Sequence, residues 1–163
     1  MQSAAALWTG GKDSLMALHE DMGIDCVVTG DIAEVDGYPN WIRERCRCVG
    51  VGVHTRLWGR DRYALLRQLA DRGYKALISC VDTHRLDATW IGRELNELTI
   101  AELRVMGELT GLDPCGEQGE YHTLGVDGPA FVRPIDIRSY TRRSAGPLAY
   151  MAIESFELES PCA

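Results

Sequence analysis

Positive charge is scarce in this sequence: Lys and Arg number 17 against 24 Asp and Glu, a formal net charge of -7. Nucleic-acid backbones are held by clustered Lys and Arg, so no general nucleic-acid binding is expected. The one local cluster, Arg43, Arg45 and Arg47, reads as a solvated helix face. Long apolar runs are missing too, and none approaches the roughly 20 residues of a membrane-spanning helix. The opening residues carry no charged-then-apolar leader and run straight into glycine. The expectation is a cytoplasmic protein with no membrane partner. The six cysteines form no CxxC pair, since Cys46 and Cys48 have one residue between them. Neither a zinc site nor a disulfide framework is expected, and the thiols read as reduced and buried. No Gly-x-Ser-x-Gly elbow occurs, which argues against a serine hydrolase. The Walker phosphate loop and the dinucleotide fingerprint Gly-x-Gly-x-x-Gly are absent as well.

What is present is hydrophobic content for one core: 45% of 163 residues, a length that suits one domain. Residues 4–8 read as a short buried strand, residues 14–22 as a helix, and residues 26–29 as a second strand. Residues 41–49 predict a helix and residues 51–57 a third strand. Residues 63–72 carry Leu65, Leu66 and Leu69 at helical spacing, stopped by Gly73. Residues 76–81 are a fourth strand and residues 98–109 a helix closed near Gly111. Strand and helix in alternation predict an α/β fold, a mostly parallel sheet sandwiched by helices. After Gly111 the segment 113–129 is rich in Gly, Pro and Glu, and candidate strands follow at 131–137 and 150–158. The reading is a single domain over 1–163, with an α/β core at 1–111 and an acidic glycine-rich loop and β extension at 112–163.

One string stands out chemically. Thr9-Gly10-Gly11-Lys12-Asp13-Ser14 lies between a predicted strand and a predicted helix. Glycines let the backbone turn tightly and aim N–H groups at a ligand. A helix start adds unpaired N–H groups and a positive dipole end. Lys12 adds a full charge, and Thr9 and Ser14 add hydroxyls. Together they predict a phosphate site.

Other candidates follow strand ends. Gly30 and Asp31 sit where open α/β sheets bind ligands; Asp31 suits Mg²⁺ or an attacking amine, or simply caps a turn. Trp58 and Arg60 follow another strand, Arg60 suiting a phosphate or an ion pair with Asp61. Trp58 fits a ligand platform or the core. Glu117 and Glu120 stand three apart in a glycine-rich loop with Gly116 and Gly119. Two carboxylates there suit a substrate ammonium or magnesium, and Tyr121 and His122 suit hydrogen bonding or proton transfer; on the residues alone a solvated acidic turn is the stronger reading.

The string 9–14 closely resembles the PP-loop, Ser-Gly-Gly-x-Asp-Ser, of ATP pyrophosphatases, with Thr9 for the first Ser. Further matches narrow the resemblance: Gly30-Asp31-Ile32, Trp41 with Arg43 and Cys46, Leu57-Trp58-Gly59-Arg60-Asp61, Cys115-Gly116-Glu117-Gln118-Gly119-Glu120-Tyr121-His122-Thr123-Leu124 and Asp127-Gly128-Pro129-Ala130-Phe131. All are similar to the ATP-binding domain of the diphthine–ammonia ligase family, in that family's order. The chain departs from it by several dozen fewer residues between the PP-loop helix and Gly30.

The resemblance implies a PP-loop fold, Rossmann-like, that binds ATP and Mg²⁺. It implies adenylation of an acceptor carboxylate, release of pyrophosphate, and amidation by ammonia. The implied catalytic residues are Lys12, Asp13, Asp31, Glu117 and Glu120, with Asp13 and Asp31 toward metal. Thr9, Gly10, Gly11, Lys12, Asp13, Ser14 and Gly30 would bind the nucleotide. Trp58, Arg60, Gly116, Glu117, Gly119, Glu120, Tyr121 and His122 would bind substrate. The acceptor implied is a diphthine-bearing elongation factor. A different small-molecule acceptor, or a nucleotide-binding module without catalysis, fits the same residues. The shortened region predicts a less covered first strand and self-association as a homodimer.

Overall fold

In the computed structural model of the chain, residues 4–6, 26–34 and 41–159 are described. The first strand, β1, spans Ala4–Ala6, and the second, β2, spans Cys26–Val28. Helix α1 is Trp41–Val49, and the short strand β3 is Gly52–His54. The three strands form one parallel sheet in the order β1-β2-β3, with Ala5 beside Val27 and Val27 beside Val53. Parallel neighbours need a crossover, and α1 supplies the one between β2 and β3. Its Ile42 and Cys46, four apart on one face, are buried against Val27 and Val51. Arg43 and Arg47 of the expected solvated face are exposed, and the Arg43 guanidinium donates to Thr55 Oγ1 at 2.6 Å.

A second unit begins at Asp61, the chain dividing into Met1–Arg60 and Asp61–Ala163. The division expected from composition, at Gly111, falls inside this second unit. Helix α2, Arg62–Asp71, is capped by the Asp61 carboxylate, which accepts from the Ala64 N–H at 2.7 Å. Such a cap contributes about 1 kcal/mol. Strand β4 is Lys75–Asp82, and helix α3 is Glu97–Thr110, capped by Asn96 and closed at Gly111. Strands β5, Tyr121–Asp127, β6, Ile135–Ala145, and β7, Leu148–Leu158, complete the unit. The sheet order is β5-β4-β7-β6, antiparallel throughout. Its core joins Ile78 and Val81 of β4, Ile100 and Leu103 of α3, Leu66 of α2, and Ala149 and Met151 of β7. Leu86, Trp90, Ile91 and Leu95, from the connection between β4 and α3, enter the same cluster.

The expectation of a mostly parallel sheet is therefore corrected. The parallel part is three short strands, and β4, read from sequence as a fourth parallel strand, belongs to the antiparallel sheet. The reason lies in the connection after β4. Gly92 to Leu95 runs back antiparallel along it: Gly92 N–H donates to Ile78 O at 2.8 Å and Leu95 N–H to Ala76 O at 2.9 Å. The return is spent before α3 begins. Helix α3 then carries the chain to the far end of β4, where β5 starts and runs the opposite way, with Tyr121 beside Val81 and Asp127 beside Lys75. The same return segment holds the β4 edge beside Ala76, Leu77 and Ile78. Consequently β7 reaches β4 only at Cys80, Val81 and Asp82, and otherwise pairs with β6.

Two smaller corrections follow. Strand β5 lies within the segment 113–129 read as a Gly-, Pro- and Glu-rich loop, and β6 starts at Ile135 instead of 131.

Candidate functional site

The glutamate-glycine loop closes between α3 and β5, and hydrogen bonds tie most of its residues. Glu120 is buried completely. A buried carboxylate is tolerated only with partners that satisfy its charge, and this one has three donors. The Asp113 N–H (2.9 Å) and the Arg85 guanidinium (3.3 Å) reach Oε1, and the Gln118 N–H (3.0 Å) reaches Oε2. Arg85 comes from the turn after β4, so the loop is tied to the end of the central strand. The Asp82 N–H also donates to the Glu120 carbonyl at 2.9 Å.

Asp113 forms the other end of the closure. Its Oδ2 accepts from Arg62 Nε at 2.6 Å, and its Oδ1 from the Cys115 N–H at 2.9 Å. Burial works against the Arg62 charge, but the bond to Asp113 and the nearby acidic groups more than offset it, raising its pKa. The Cys115 thiol donates to the Arg62 carbonyl at 3.5 Å. Burial, reinforced by Asp113 and Glu117, pushes that thiol up to about 12. It is a poor nucleophile at neutral pH, because only the thiolate reacts.

Tyr121 is buried at the start of β5, and its hydroxyl donates to the Pro114 carbonyl across the loop. Burial, then the acidic neighbours, raise its pKa. Its aromatic ring and carbonyl occupy the space where a side chain on residue 116 would begin. A Cβ there would lie 2.6 Å from the Tyr121 carbonyl oxygen, and the φ of +72° is one L side chains rarely adopt. Gly116 is thus required by both conformation and contact. Glu117 is half-buried, and His122 is exposed on β5.

In the first unit, Gly30 and Asp31 follow the carboxyl end of β2, the middle strand of the parallel sheet. Thr29 Oγ1 donates to Asp31 Oδ2 at 2.9 Å, and the Gly59 N–H donates to the Ile32 carbonyl at 2.8 Å. The segment after β2 is thereby fixed beside the turn that carries Trp58 and Arg60, both exposed. Such a strand end suits a ligand. Asp61, weighed as a partner for Arg60, caps α2.

The structure thus brings Gly116, Glu117, Gly119, Glu120, Tyr121 and His122 together in one loop and strand, and Gly30, Asp31, Trp58 and Arg60 in the other unit. Thr9, Gly10, Gly11, Lys12, Asp13 and Ser14 lie outside the described residues, as does the helix expected at 14–22. Among the described residues, no group of three or more His, Cys, Asp or Glu is placed to hold a metal, and no helix is long and apolar enough to cross a membrane. Sequence reasoning missed Arg62, Arg85 and Asp113, since the burial of Glu120 that calls for them arises only in the fold.

Comparison with known proteins adds to this geometry. Residues 61–158 match the family model described as diphthamide synthase C-terminal domain. The chain is 31% identical over 124 residues to the diphthine–ammonia ligase of Danio rerio, covering 76% of this chain and 48% of that one. It is 28% identical over 118 residues to that of Schizosaccharomyces pombe, covering 71% and 19%, and 28% identical over 120 residues to that of Homo sapiens, covering 70% and 45%. The chain spans about half the length, or less, of these relatives.

Proposed function

We infer the function from a premise of kinship: this chain belongs to the diphthamide synthase family. The reading is an ATP-dependent ligase that amidates a carboxylate with ammonia, as the names of the relatives suggest. The observation that carries it is the pinned loop from Asp113 to Tyr121, inside the segment that matches the family.

The chemistry divides between the two regions. The acceptor carboxylate attacks the α-phosphorus of ATP, pyrophosphate leaves, and an acyl-adenylate forms. Ammonia then attacks the acyl carbon, AMP leaves, and a proton passes to a base. Such transfer needs positioned positive charge and dipoles more than a protein nucleophile. In this reading Thr9, Gly10, Gly11 and Ser14 hold the triphosphate in a PP-loop of Rossmann-like fold, and Lys12 stabilises the leaving pyrophosphate. Asp13 and Asp31 would hold Mg²⁺, which supplies charge neutralisation to the phosphates. Asp31 fits by its place at the end of a parallel strand. Glu117 acts on the ammonia side, and Trp58, Arg60 and His122 meet the acceptor, a diphthine-bearing elongation factor, in the cytoplasm. A homodimer follows from the shortened region after the PP-loop.

The test has two parts. Calorimetric titration should show ATP binding that Lys12→Ala weakens far more than it perturbs folding, read by circular dichroism and urea unfolding of the same variant. ATP–pyrophosphate exchange with ammonia and an acceptor should then proceed in the parent chain. Binding without exchange would mean a nucleotide-binding module, and unchanged binding in Lys12→Ala would overturn the assignment of the loop.

A further inference from the structure

Helix α3 carries apolar residues on two opposite sides. Ile100 and Leu103 face the core and are buried, with Thr99 beside them. Leu98, Ala101 and Val105 recur at i, i+3 and i+7, which places them in one stripe on the far side of the helix. All three are exposed, Leu98 at 68% and Val105 at 54%. The outer side of a surface helix is ordinarily polar, and a helix apolar on both sides is ordinarily covered on both. Charge is confined to the flanks of the stripe, with Glu97, Arg104 and Glu108 along one and Glu102 along the other.

The stripe is not flat. A hollow of about 260 Å³ opens between α3 and α2, with Tyr63, Ala70, Ile100 and Ala101 in its wall. Another, of about 330 Å³, opens on the opposite flank between Trp90, Ala101, Val105 and Met106. Ala101 lines both. The surface therefore dips at the middle of the stripe and rises at Leu98 and Val105 on either side. A patch with its own ridges and its own hollows fits a second copy of itself about a two-fold axis.

We propose that this face of α3 is a contact between two copies of the chain, packed antiparallel with Ala101 at the crossing. A small side chain there lets the helices approach closely. In this register Leu98 of one copy lies across from Val105 of the other. The charges agree with it. Glu97 of each copy comes within two positions of Arg104 of the other, about 3 Å along the axis. The bond between Arg104 and Glu108, 3.1 Å between exposed groups, is of a kind that contributes little, so the guanidinium is available. Glu102, nearest the axis, would meet its own copy, and Arg93 at 2.7 Å offsets that charge. Two helical turns from each copy fall short of the roughly 1,200 Å² that stable complexes bury, so the dimer is weak and concentration-dependent. The assignment does not depend on the ligase reading, and it differs from pairing through the less covered first strand.

Sedimentation velocity of the full chain over a range of concentrations reads the equilibrium, and circular dichroism checks that each variant is folded. The parent should shift reversibly toward a dimer as concentration rises. Val105→Glu should weaken the dimer at least about tenfold, since it sets a charge against an apolar face. Leu109→Ala should leave it unchanged, because position 109 lies across from Glu94, before the partner helix begins. Glu97→Lys and Arg104→Glu should each weaken it, and the two together should recover most of the parent's affinity. Within one chain these residues are seven positions apart, so a purely local role of either gives no such rescue. A chain that stays monomeric up to its solubility limit overturns the proposal, as do charge reversals that add instead of cancelling. A dimer insensitive to Val105→Glu overturns it too and leaves the first strand as the contact. A monomer that Val105→Glu unfolds shows that the chain covers this face itself, which overturns it equally. None of these outcomes bears on ATP binding or amide formation, so the ligase reading stands or falls by its own test.

Discussion

Replacing Tyr121 by Phe isolates one atom of the loop closure. The ring is buried and sits against Gly116, so phenylalanine fills the same space. What is lost is the hydroxyl that donates to the Pro114 carbonyl. Removing one partner of a buried hydrogen bond costs about 1–3 kcal/mol, because the other is left unsatisfied. At pH 7 the variant should be less stable by that amount, with an unchanged urea m-value.

The alkaline limb gives a second, opposite signature. Burial, then acidic neighbours, raise the Tyr121 pKa above its ordinary value of 10.0. The folded chain keeps the proton at a pH where the unfolded chain releases it. The stabilisation from this group is fully present below pH 10 and is lost as pH rises beyond it, by about 1.4 kcal/mol per unit while only the unfolded form ionises. Phenylalanine has no proton to lose. The stability gap between parent and variant should therefore narrow above pH 10. Urea unfolding at pH 7 and at stepwise alkaline pH measures both. A variant within about 0.5 kcal/mol of the parent at pH 7, or parallel curves above pH 10, would refute the account of this hydroxyl.

Three further outcomes are expected. Leu103→Ala, at a fully buried position, should cost about 2–5 kcal/mol in urea unfolding, whereas Leu109→Ala, 77% exposed, should stay within about 0.5 kcal/mol. Gly116→Ala should destabilise more than Gly119→Ala, since both sites have positive φ but only the first would also drive a Cβ into Tyr121; thermal unfolding of the two side by side decides it. Cys115, with its thiol pushed up to about 12, should resist a thiol reagent at pH 8 until the chain is unfolded, as peptide mapping of the labelled protein will show.

Much of the architecture was written locally. Helix 41–49 was recoverable because Ile42 and Cys46 recur at i, i+4 among charged residues, and strand 75–82 because an apolar run met turn residues on both sides. Strand direction was not. Alternation of strand and helix cannot reveal that Gly92–Leu95 doubles back along β4, since those residues carry no periodic pattern and act through backbone hydrogen bonds. Strand β5 escaped for a related reason: its exposure does not alternate, so no period-2 signal exists. The loop itself was visible as Gly and Glu at short spacing. The difference between Glu117 and Glu120 was not, because it depends on which donors the fold delivers from Arg85 and Asp113, and those lie 35 and 7 positions away.

The divided edge of β4 also bears on how the chain folds during synthesis. The half beside Ala76–Ile78 is covered by Gly92–Leu95, which emerges soon after it. The half from Cys80 to Asp82 waits for Leu148–Tyr150. At about 5–20 residues per second, that interval lasts several seconds on the ribosome. Throughout it, a short apolar stretch of the central strand has donors and acceptors with no strand from its own chain to take them. An exposed edge of this kind recruits strands from neighbouring chains. The vulnerable period of this protein is thus set by the spacing between two strands in the sequence, and slower translation would lengthen it.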